Sequence, residues 1–329
     1  MTRTATKTSR FVGIANPDSW EYAELDTTGT PEGRAHNEAL FTAGPVYGLE
    51  VTVPELAKRC ARNLDPQHLG GDATTAAIES ALEAPLPADD SVLATVKPDL
   101  DSVGAMAVLT MRAHGIRFTQ AELGNITIIA LSDKFTKGAW PGPRPLPTAK
   151  QLSDDHVASV EDNSYLAALA AGVADYRVPL RRRVVWVIDW IRHGKEPEGY
   201  RAKWVAERRA LARGIQTGAV KLTVFGNHQL ALVESTMRAP HSLGYHQAPV
   251  VIGYNPEHQV QGGPVHRKYT ICQWPDTSRL DLDRVFTELN NREPGWGGSP
   301  SIGGSPQGKG SLLPVHEIIR VVRKHLRTP

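Results

Sequence analysis

Hydrophobic and polar positions follow two different patterns along the chain, and the change occurs near Gly218. Before this point, short apolar runs alternate with segments of helical spacing, such as an apolar run at 93–96 followed by an apolar helix at 103–112. After it, four segments alternate or run apolar as strands do, at 220–226, 229–235, 249–255 and 268–274. The pattern predicts an α/β fold: a doubly wound, mainly parallel sheet domain followed by a smaller α+β domain with a Gly-rich loop.

The length of the chain supports this division, because 329 residues favour two domains over one. We expect residues 1–160 to form the α/β domain and residues 161–217 to form a helical connector. Residues 218–329 then form a second domain that is long enough to hold its own core.

Further elements are predicted from periodicity and caps. Residues 181–193 have the spacing of an amphipathic helix, and its Arg181-Arg182-Arg183 run is expected to be solvated. Asp189 and His193 on this helix are placed to bind a metal, but an exposed ion pair is the favoured interpretation. The other predicted helices are 55–64, 72–84, 161–176, 201–213, 282–291 and 315–326, and two further strands are predicted at 11–15 and 125–131.

The candidate chemistry lies between residues 93 and 109. A strand ends at Pro98, which cannot donate to a ladder, and Asp99 and Asp101 follow before Ser102, the expected helix N-cap. In an open α/β sheet this loop lies at the carboxyl ends of the strands, where ligands bind. The two carboxylates either bind a hard divalent cation such as Mg²⁺ or Mn²⁺, or only cap the helix and complement its dipole.

The sequence PDLDS followed by a small-residue apolar helix resembles the first motif of the DHH phosphoesterase superfamily. This superfamily includes RecJ-type nucleases, oligoribonucleases and family II inorganic pyrophosphatases. Pro98, Asp99, Asp101 and Ser102 match the motif, whereas Thr95 stands where the pyrophosphatases have a metal-binding histidine. The Asp-His-His triplet that names the superfamily is absent from the chain. The resemblance implies that Asp99 and Asp101 are catalytic residues that hold Mn²⁺ or Mg²⁺.

Two other positions are candidates to complete such a site. Asp133 follows the predicted strand 125–131 and would point into the same crevice; the resemblance implies that it bridges metals, and the competing interpretation is a cap. Asp65 and His68 lie in a loop before the predicted helix 72–84. Two interpretations are open. Either one of these residues supplies the metal ligand that is missing at Thr95, or the Asp-Pro and Gly-Gly pairs only form an ordinary turn.

A glycine-rich segment spans residues 295–311. Its glycines allow a backbone to approach an anion closely, although GGSPQGKG lacks the preceding strand and the Ser/Thr that a nucleotide-binding P-loop requires. The segment resembles the glycine-rich part of the substrate-binding domain that accompanies DHH catalytic domains. This resemblance implies that Gly303, Gly304, Ser305 and Lys309 bind the substrate's phosphate, with His241 as another candidate. The alternative is a merely connecting loop.

Composition excludes some classes of partner. With 37 basic and 35 acidic residues the net charge is +2. The chain therefore lacks the excess of positive charge that is typical of proteins that bind duplex nucleic acid. The two cysteines, Cys60 and Cys272, have no metal-ligand spacing and are expected to be buried thiols in a reducing compartment. The sequence has no signal-peptide pattern and no apolar run of membrane length, so we expect a cytoplasmic protein without membrane contact.

These observations favour a divalent-metal-dependent phosphohydrolase that acts on a small phosphorylated or nucleotide substrate, with its site in a cleft between the two domains. Thr95 replaces an expected metal-binding histidine, and the Asp-His-His triplet is absent. The alternative is therefore a degenerate relative that binds a nucleotide or phosphate without cleaving it. A structural or partner-binding protein is a third hypothesis, and a homodimer is left open.

Overall fold

The computed structural model describes residues 16–66, 75–134, 139–146, 166–237, 240–259, 264–274, 279–298, 301–306 and 309–327. These residues form two compact units. The first contains the described residues up to Lys134 together with Leu166–Tyr200, and the second contains residues 139–146 and those from Arg201 onward. The described part of segment 161–217, which the sequence predicts as a connector, therefore contributes to both units.

The first unit is built on a four-stranded sheet in which every strand is parallel to its neighbours. The strand order is β1-β4-β2-β3, so the two central strands are β4 and β2. Both central strands are buried along their whole length, as expected for parallel strands covered on both faces. The strands are β1 (Glu21–Glu24), β2 (Val46–Leu49), β3 (Arg62–Leu64) and β4 (Val92–Thr95).

Helices cover the two faces of this sheet, which confirms the predicted doubly wound architecture. Leu93 packs in one apolar cluster with Met106 and Val187, whereas Val92 and Ala94 belong to a separate cluster on the opposite face. The helices are α1 (Pro31–Ala43), α2 (Pro54–Ala57), α3 (Ala77–Ser80), α4 (Leu100–Ala113), α5 (Gln120–Lys134), α6 (Ala167–Val173) and α7 (Leu180–His193).

The strand predicted at 125–131 is wrong, because these residues lie inside α5. The β-branched run that suggested a strand also has helical spacing: Ile126 and Ile129 are fully buried against the cluster that contains α4. The side chain of Asn125 donates to the carbonyl of Ile191 at 2.9 Å, which ties α5 to α7. Tertiary burial therefore overrides the local strand propensity.

The helix predicted at 55–64 is also wrong in its extent. Helix α2 begins at Pro54 as expected but ends at Ala57, and the chain then enters β3. Asn63 explains the change, because its side chain accepts from the Val51 amide and donates to the Val51 carbonyl, each at 3.1 Å. Strands β1 and β2 were not predicted, and the strand predicted at 11–15 lies outside the described residues.

Arg183 corrects the expectation that the arginine run on α7 is solvated. Its side chain is 1% exposed, and its guanidinium forms an ion pair with Glu24 at the end of β1. A second guanidinium nitrogen donates to the carbonyl of Val173, the last residue of α6, at 3.0 Å. By contrast, the Arg181 side chain is 60% exposed. The run therefore contains one buried cation that joins α6, α7 and the sheet.

The second unit contains a six-stranded mixed sheet of order β5-β6-β7-β8-β10-β9, in which only β6 and β7 pair in parallel among the described strands. The four strands predicted from residue 220 onward are confirmed. The strands are β5 (Lys221–Phe225), β6 (Leu230–Glu234), β7 (Val250–His258), β8 (His266–Gln273), β9 (Gly297–Gly298) and β10 (Ile302–Gly304).

Apolar residues on the two faces of this sheet belong to separate clusters. Leu232 packs with the helices of one face, and Val233 packs with the helix of the other. The sequence predicted all three helices, including the Asp281 cap, whose carboxylate accepts from the Arg284 amide. They are α8 (Tyr200–Thr217), α9 (Leu282–Asn290) and α10 (Val315–Lys324), and a 3₁₀ helix at Pro240–His246 precedes β7.

Glu288 on α9 holds the end of α10 through charged contacts. Its carboxylate lies 2.8 Å from the Lys324 ammonium and 2.9 Å from a ring nitrogen of His325, and 3.0 Å from Arg292. Lys324 and then His325 lower the pKa of Glu288 to about 2.

None of the helices described here combines the length and the hydropathy needed to cross a membrane.

Replacing Arg183 should destabilise the first unit. We expect Arg183→Ala to lower the free energy of unfolding by about 3 kcal/mol, because it leaves Glu24 and the Val173 carbonyl without their buried cation. Arg181→Ala is the matched control and should cost less than about 1 kcal/mol, since its ion pair with Asp18 is exposed. Urea denaturation followed by circular dichroism measures both changes. Equal effects of the two substitutions would contradict the assignment.

Glu288 should contribute stability that depends on pH. Folding lowers its pKa from the ordinary value of 4.5 to about 2, so its contribution is complete above about pH 4.5 and is lost as the pH falls toward 2. We expect Glu288→Gln to reduce the melting temperature at pH 7, and the difference from the unmodified chain to shrink between pH 5 and pH 3. Glu55→Gln, at an exposed ion pair, is the control and should change the melting temperature at pH 7 by less than Glu288→Gln does. A difference that is constant with pH would refute this.

Candidate active site

The loop between β4 and α4 is the strand–loop–helix unit that the sequence predicts. Strand β4 ends at Thr95, and Asp99 precedes the first residue of α4. One carboxylate oxygen of Asp99 accepts from the Ser102 amide at 3.0 Å and from its hydroxyl at 2.9 Å. Asp99, rather than Ser102, is therefore the N-cap, because its extended backbone places its carboxylate over the first turn.

Asp101 has a different environment from Asp99. It lies in the first turn of α4 and is 1% exposed. Its two carboxylate oxygens accept from the amides of Ala77 and Ile78, at 2.7 and 2.8 Å. Asp101 therefore caps α3, and its charge complements the positive end of that short helix. Its role as a metal ligand stays a prediction.

Acidic residues also follow the next two strands of the sheet, β2 and β3. Glu50 comes directly after β2 and is 6% exposed, and Asp65 comes directly after β3 and is 5% exposed. Because β4, β2 and β3 are adjacent and parallel, these residues share the carboxyl edge of the sheet with Asp99. Glu50 adopts a φ of 53°, a left-handed conformation that residues other than glycine rarely take and that is enriched at functional sites.

Glu50 is absent from the sequence-based predictions, and Asp65 enters them only as an alternative to His68. The signal that could have found Glu50 is an acidic residue immediately after the short apolar segment 46–49, whereas Asp65 follows Arg62-Asn63-Leu64, which is mostly polar and gives no such signal. Asp133 was predicted for this position on a neighbouring strand. The predicted setting is wrong, because Asp133 lies in helix α5 and not at the end of a strand. The strands that flank β4 are β1 and β2, and both come before β4 in the chain.

The structure gives no side-chain contacts for two predicted site residues, the candidate metal ligand His68 and the candidate phosphate-binding residue His241. His68 falls outside the described residues. His241 belongs to the 3₁₀ helix at Pro240–His246, of which the backbone is described at that position but the side chain is not. The predicted roles of both histidines stay predictions.

The glycines predicted to bind phosphate form strand β10 rather than an open loop. A side-chain carbon at Gly303 would lie 2.4 Å from the Gly297 carbonyl, and one at Gly304 would lie 2.5 Å from the Tyr269 carbonyl. The glycines therefore allow close strand packing. Ser305 is buried, and its hydroxyl accepts from the Tyr269 amide at 3.1 Å, whereas Lys309 is exposed. Phosphate binding by these residues stays a prediction.

A buried cation and an exposed aromatic ring lie near Asp99. The Arg183 guanidinium, paired with Glu24, lies 5.7 Å from the centre of the Tyr176 ring. Tyr176 is 52% exposed. Burial, and then the carboxylates of Glu24 and Asp99, raise the pKa of its hydroxyl against the opposing effect of Arg183. The edge of the sheet thus combines carboxylates with a buried positive charge.

The fit of a divalent metal can be tested on these residues. Carboxylate oxygens are the ligands that Mg²⁺ and Mn²⁺ prefer. Within the described part of the chain, however, no three His, Cys, Asp or Glu side chains are grouped closely enough to hold one ion. The described residues alone therefore do not form a complete metal site, and no reaction step is assigned to a metal.

Solved structures that are similar to this chain resemble it weakly, as two examples show. No protein-family model and no curated protein sequence matches the chain. The pGpG-specific phosphodiesterase PggH from Vibrio cholerae aligns with 14% identity and a TM-score of 0.38, over 85% of this chain and 97% of its own. An exopolyphosphatase-related protein from Bacteroides fragilis aligns with 9% identity and a TM-score of 0.28, over 92% of this chain and 97% of its own. Superpositions with TM-scores this low do not establish a shared activity.

Asp99 and Asp101 should differ in their effects on stability. Asp101→Ala removes two charge-assisted hydrogen bonds and leaves two amides of α3 unpaired, so we expect a loss of about 3 kcal/mol. Asp99→Asn should change the free energy of unfolding by less than about 0.5 kcal/mol, because asparagine is an equally good N-cap. Urea denaturation measures both values. Asp101→Ala with unchanged stability would show that the carboxylate does not cap α3.

Proposed function

We propose that this chain is a phosphohydrolase of the DHH type, acting on a small phosphorylated or nucleotide substrate at the carboxyl edge of the first sheet. One observation carries the proposal. The PDLDS motif lies between a parallel strand and a helix, and the two strands next along the sheet are each followed directly by a buried carboxylate. This arrangement collects Asp99, Glu50 and Asp65 at the edge where open α/β sheets bind ligands.

The order of these strands along the chain supports a rearranged version of the expected site. The sequence predicts Asp133, downstream of the motif, as an acidic partner at the end of a neighbouring strand. Here β2 and β3 precede β4 in the sequence, and both lie on the same side of it in the sheet. Glu50 therefore takes the position that was expected of Asp133, and Asp65 lies one strand further along the sheet. A circular permutation of the unit would give this order, since permuted chains keep the same packed arrangement.

The burial and charge of the residues at this edge suggest a separate role for each of them. Asp99 is half-buried and reachable by a ligand, so we assign it contact with the reacting phosphoester or its attacking water. Arg183 is too deeply buried to touch a ligand, and it positions Glu24 and Tyr176 instead. The Mn²⁺ or Mg²⁺ requirement expected from the resemblance is kept as part of the proposal. The described residues do not group three such ligands, so no set of ligands is assigned to the ion.

The second candidate function is phosphate or nucleotide binding without cleavage. Two observations favour it: Thr95 stands in place of the expected histidine, and both oxygens of Asp101 already accept backbone amides. A protein of this kind would bind the same class of ligand at the same edge but would lack turnover.

Hydrolysis of a generic phosphodiester tests the first function. We expect the purified chain to release p-nitrophenol from bis(p-nitrophenyl) phosphate or p-nitrophenyl phosphate with Mn²⁺, and to stop when the ion is chelated. Asp99→Asn should lower the rate by roughly a hundredfold or more, as loss of a group that acts on the attacking water does, and Glu50→Gln should lower it as well. Asp189→Asn on α7 is the control and should keep the full rate. Hydrolysis that survives Asp99→Asn would refute the site.

Ligand binding in the same samples separates the two functions. A rise in melting temperature with AMP or pyrophosphate reports binding whether or not turnover follows. A shift that persists in chelator, with no product formed, would favour the non-cleaving protein. No shift with any of these probes and no turnover would reject both functions.

A further inference from the structure

Two histidines face each other where β7 and β8 pair in the second unit. His258 is the last residue of β7 and His266 is the first residue of β8, and the two are register partners across the antiparallel ladder. Both side chains are half-buried. This pair lies in the unit that does not contain the carboxylate edge, so it is independent of the proposed function.

The spacing of the two rings matches that of two imidazoles bound to one metal ion. The ring centres are 5.2 Å apart and the ring planes cross at 78°. An ion bound at about 2.1 Å from one nitrogen of each ring lies about 3.2 Å from each ring centre, and a tetrahedral angle then separates the centres by about 5.2 Å. The observed separation therefore needs little movement of either side chain to bind an ion.

His266 is already held in the form that a metal ion needs. Its Nδ1 lies 3.1 Å from the Pro264 carbonyl. Because a carbonyl oxygen can only accept, Nδ1 carries a proton, and Nε2 is then the nitrogen whose lone pair the neutral ring offers to a metal ion. Gly310 lies close to this ring, since a side-chain carbon at that glycine would lie 2.4 Å from its Cδ2.

The chemistry of the two ligands determines which ions fit. Neutral imidazoles suit Zn²⁺, Cu²⁺ and Ni²⁺, which form strong bonds to nitrogen.

We propose that His258 and His266 form a binding site for a divalent transition metal of the Zn²⁺, Cu²⁺ and Ni²⁺ class. The protein supplies two nitrogen ligands, since the described residues contain no third His, Cys, Asp or Glu grouped with them. The other coordination positions are left to water or to a small ligand, so the bound ion is exchangeable.

Titration of the tag-free full-length chain with Cu²⁺, followed by calorimetry, tests this site. We expect His258→Ala and His266→Ala each to weaken binding of one equivalent by roughly tenfold or more, because a single imidazole remains. His316→Ala, at a histidine that is 76% exposed on α10, is the matched control and should leave the affinity unchanged. Asp99→Asn should also retain this equivalent, which separates the site from any ion at the carboxylate edge.

A spectroscopic measurement excludes an indirect effect of the substitutions. The electron paramagnetic resonance spectrum of the Cu²⁺-bound chain should show coupling to two imidazole nitrogens, and to one in His258→Gln or His266→Gln. Unaltered thermal melting of these variants in the absence of metal would show that they are folded. Copper binding that is absent, or that is equal in all the histidine variants, would overturn the proposal.

Discussion

Parallel pairing of β4 between β1 and β2 is the constraint on which the first unit depends. A parallel strand at the centre of a sheet is buried on both faces, so its residues are apolar. The polar residues that follow it in the sequence therefore lie beyond its carboxyl end. Because all four strands point the same way, such residues gather at one edge. Asp99, Glu50 and Asp65 are close in the sheet order although they are distant in sequence.

Gathering acidic groups at one buried edge requires compensation, since an unpaired charge in a protein interior is costly. The backbone supplies part of it, because Asp101 accepts from two amides at the start of α3 and Asp99 accepts from the first turn of α4. Arg183 supplies a positive charge beside Glu24. These contacts also join α3, α4 and α7 to the sheet, so charge balance and helix packing are parts of the same arrangement.

The second unit uses close backbone approach in a different way. Strands β8, β10 and β9 lie together because Gly303 and Gly304 have no side chains to separate them. Gly310, in the same glycine-rich stretch, leaves room for the ring of His266. A segment that resembles a phosphate-binding loop in sequence is thus largely an edge of a sheet, and its last part supports one of two facing histidines.

The sequence by itself determined the elements whose signals are local: strand β4 with its acidic loop, the amphipathic helices α7 and α10, and the strands that begin at residue 220. Caps and periodicity are sufficient there, because neighbours in sequence decide those structures. Only the tertiary structure decided that Asn125 to Leu131 is helical, that Arg183 is buried, and that Glu50 shares an edge with Asp99. Each of these depends on strand order and on contacts between residues far apart in the chain, which a single sequence does not encode in any local pattern.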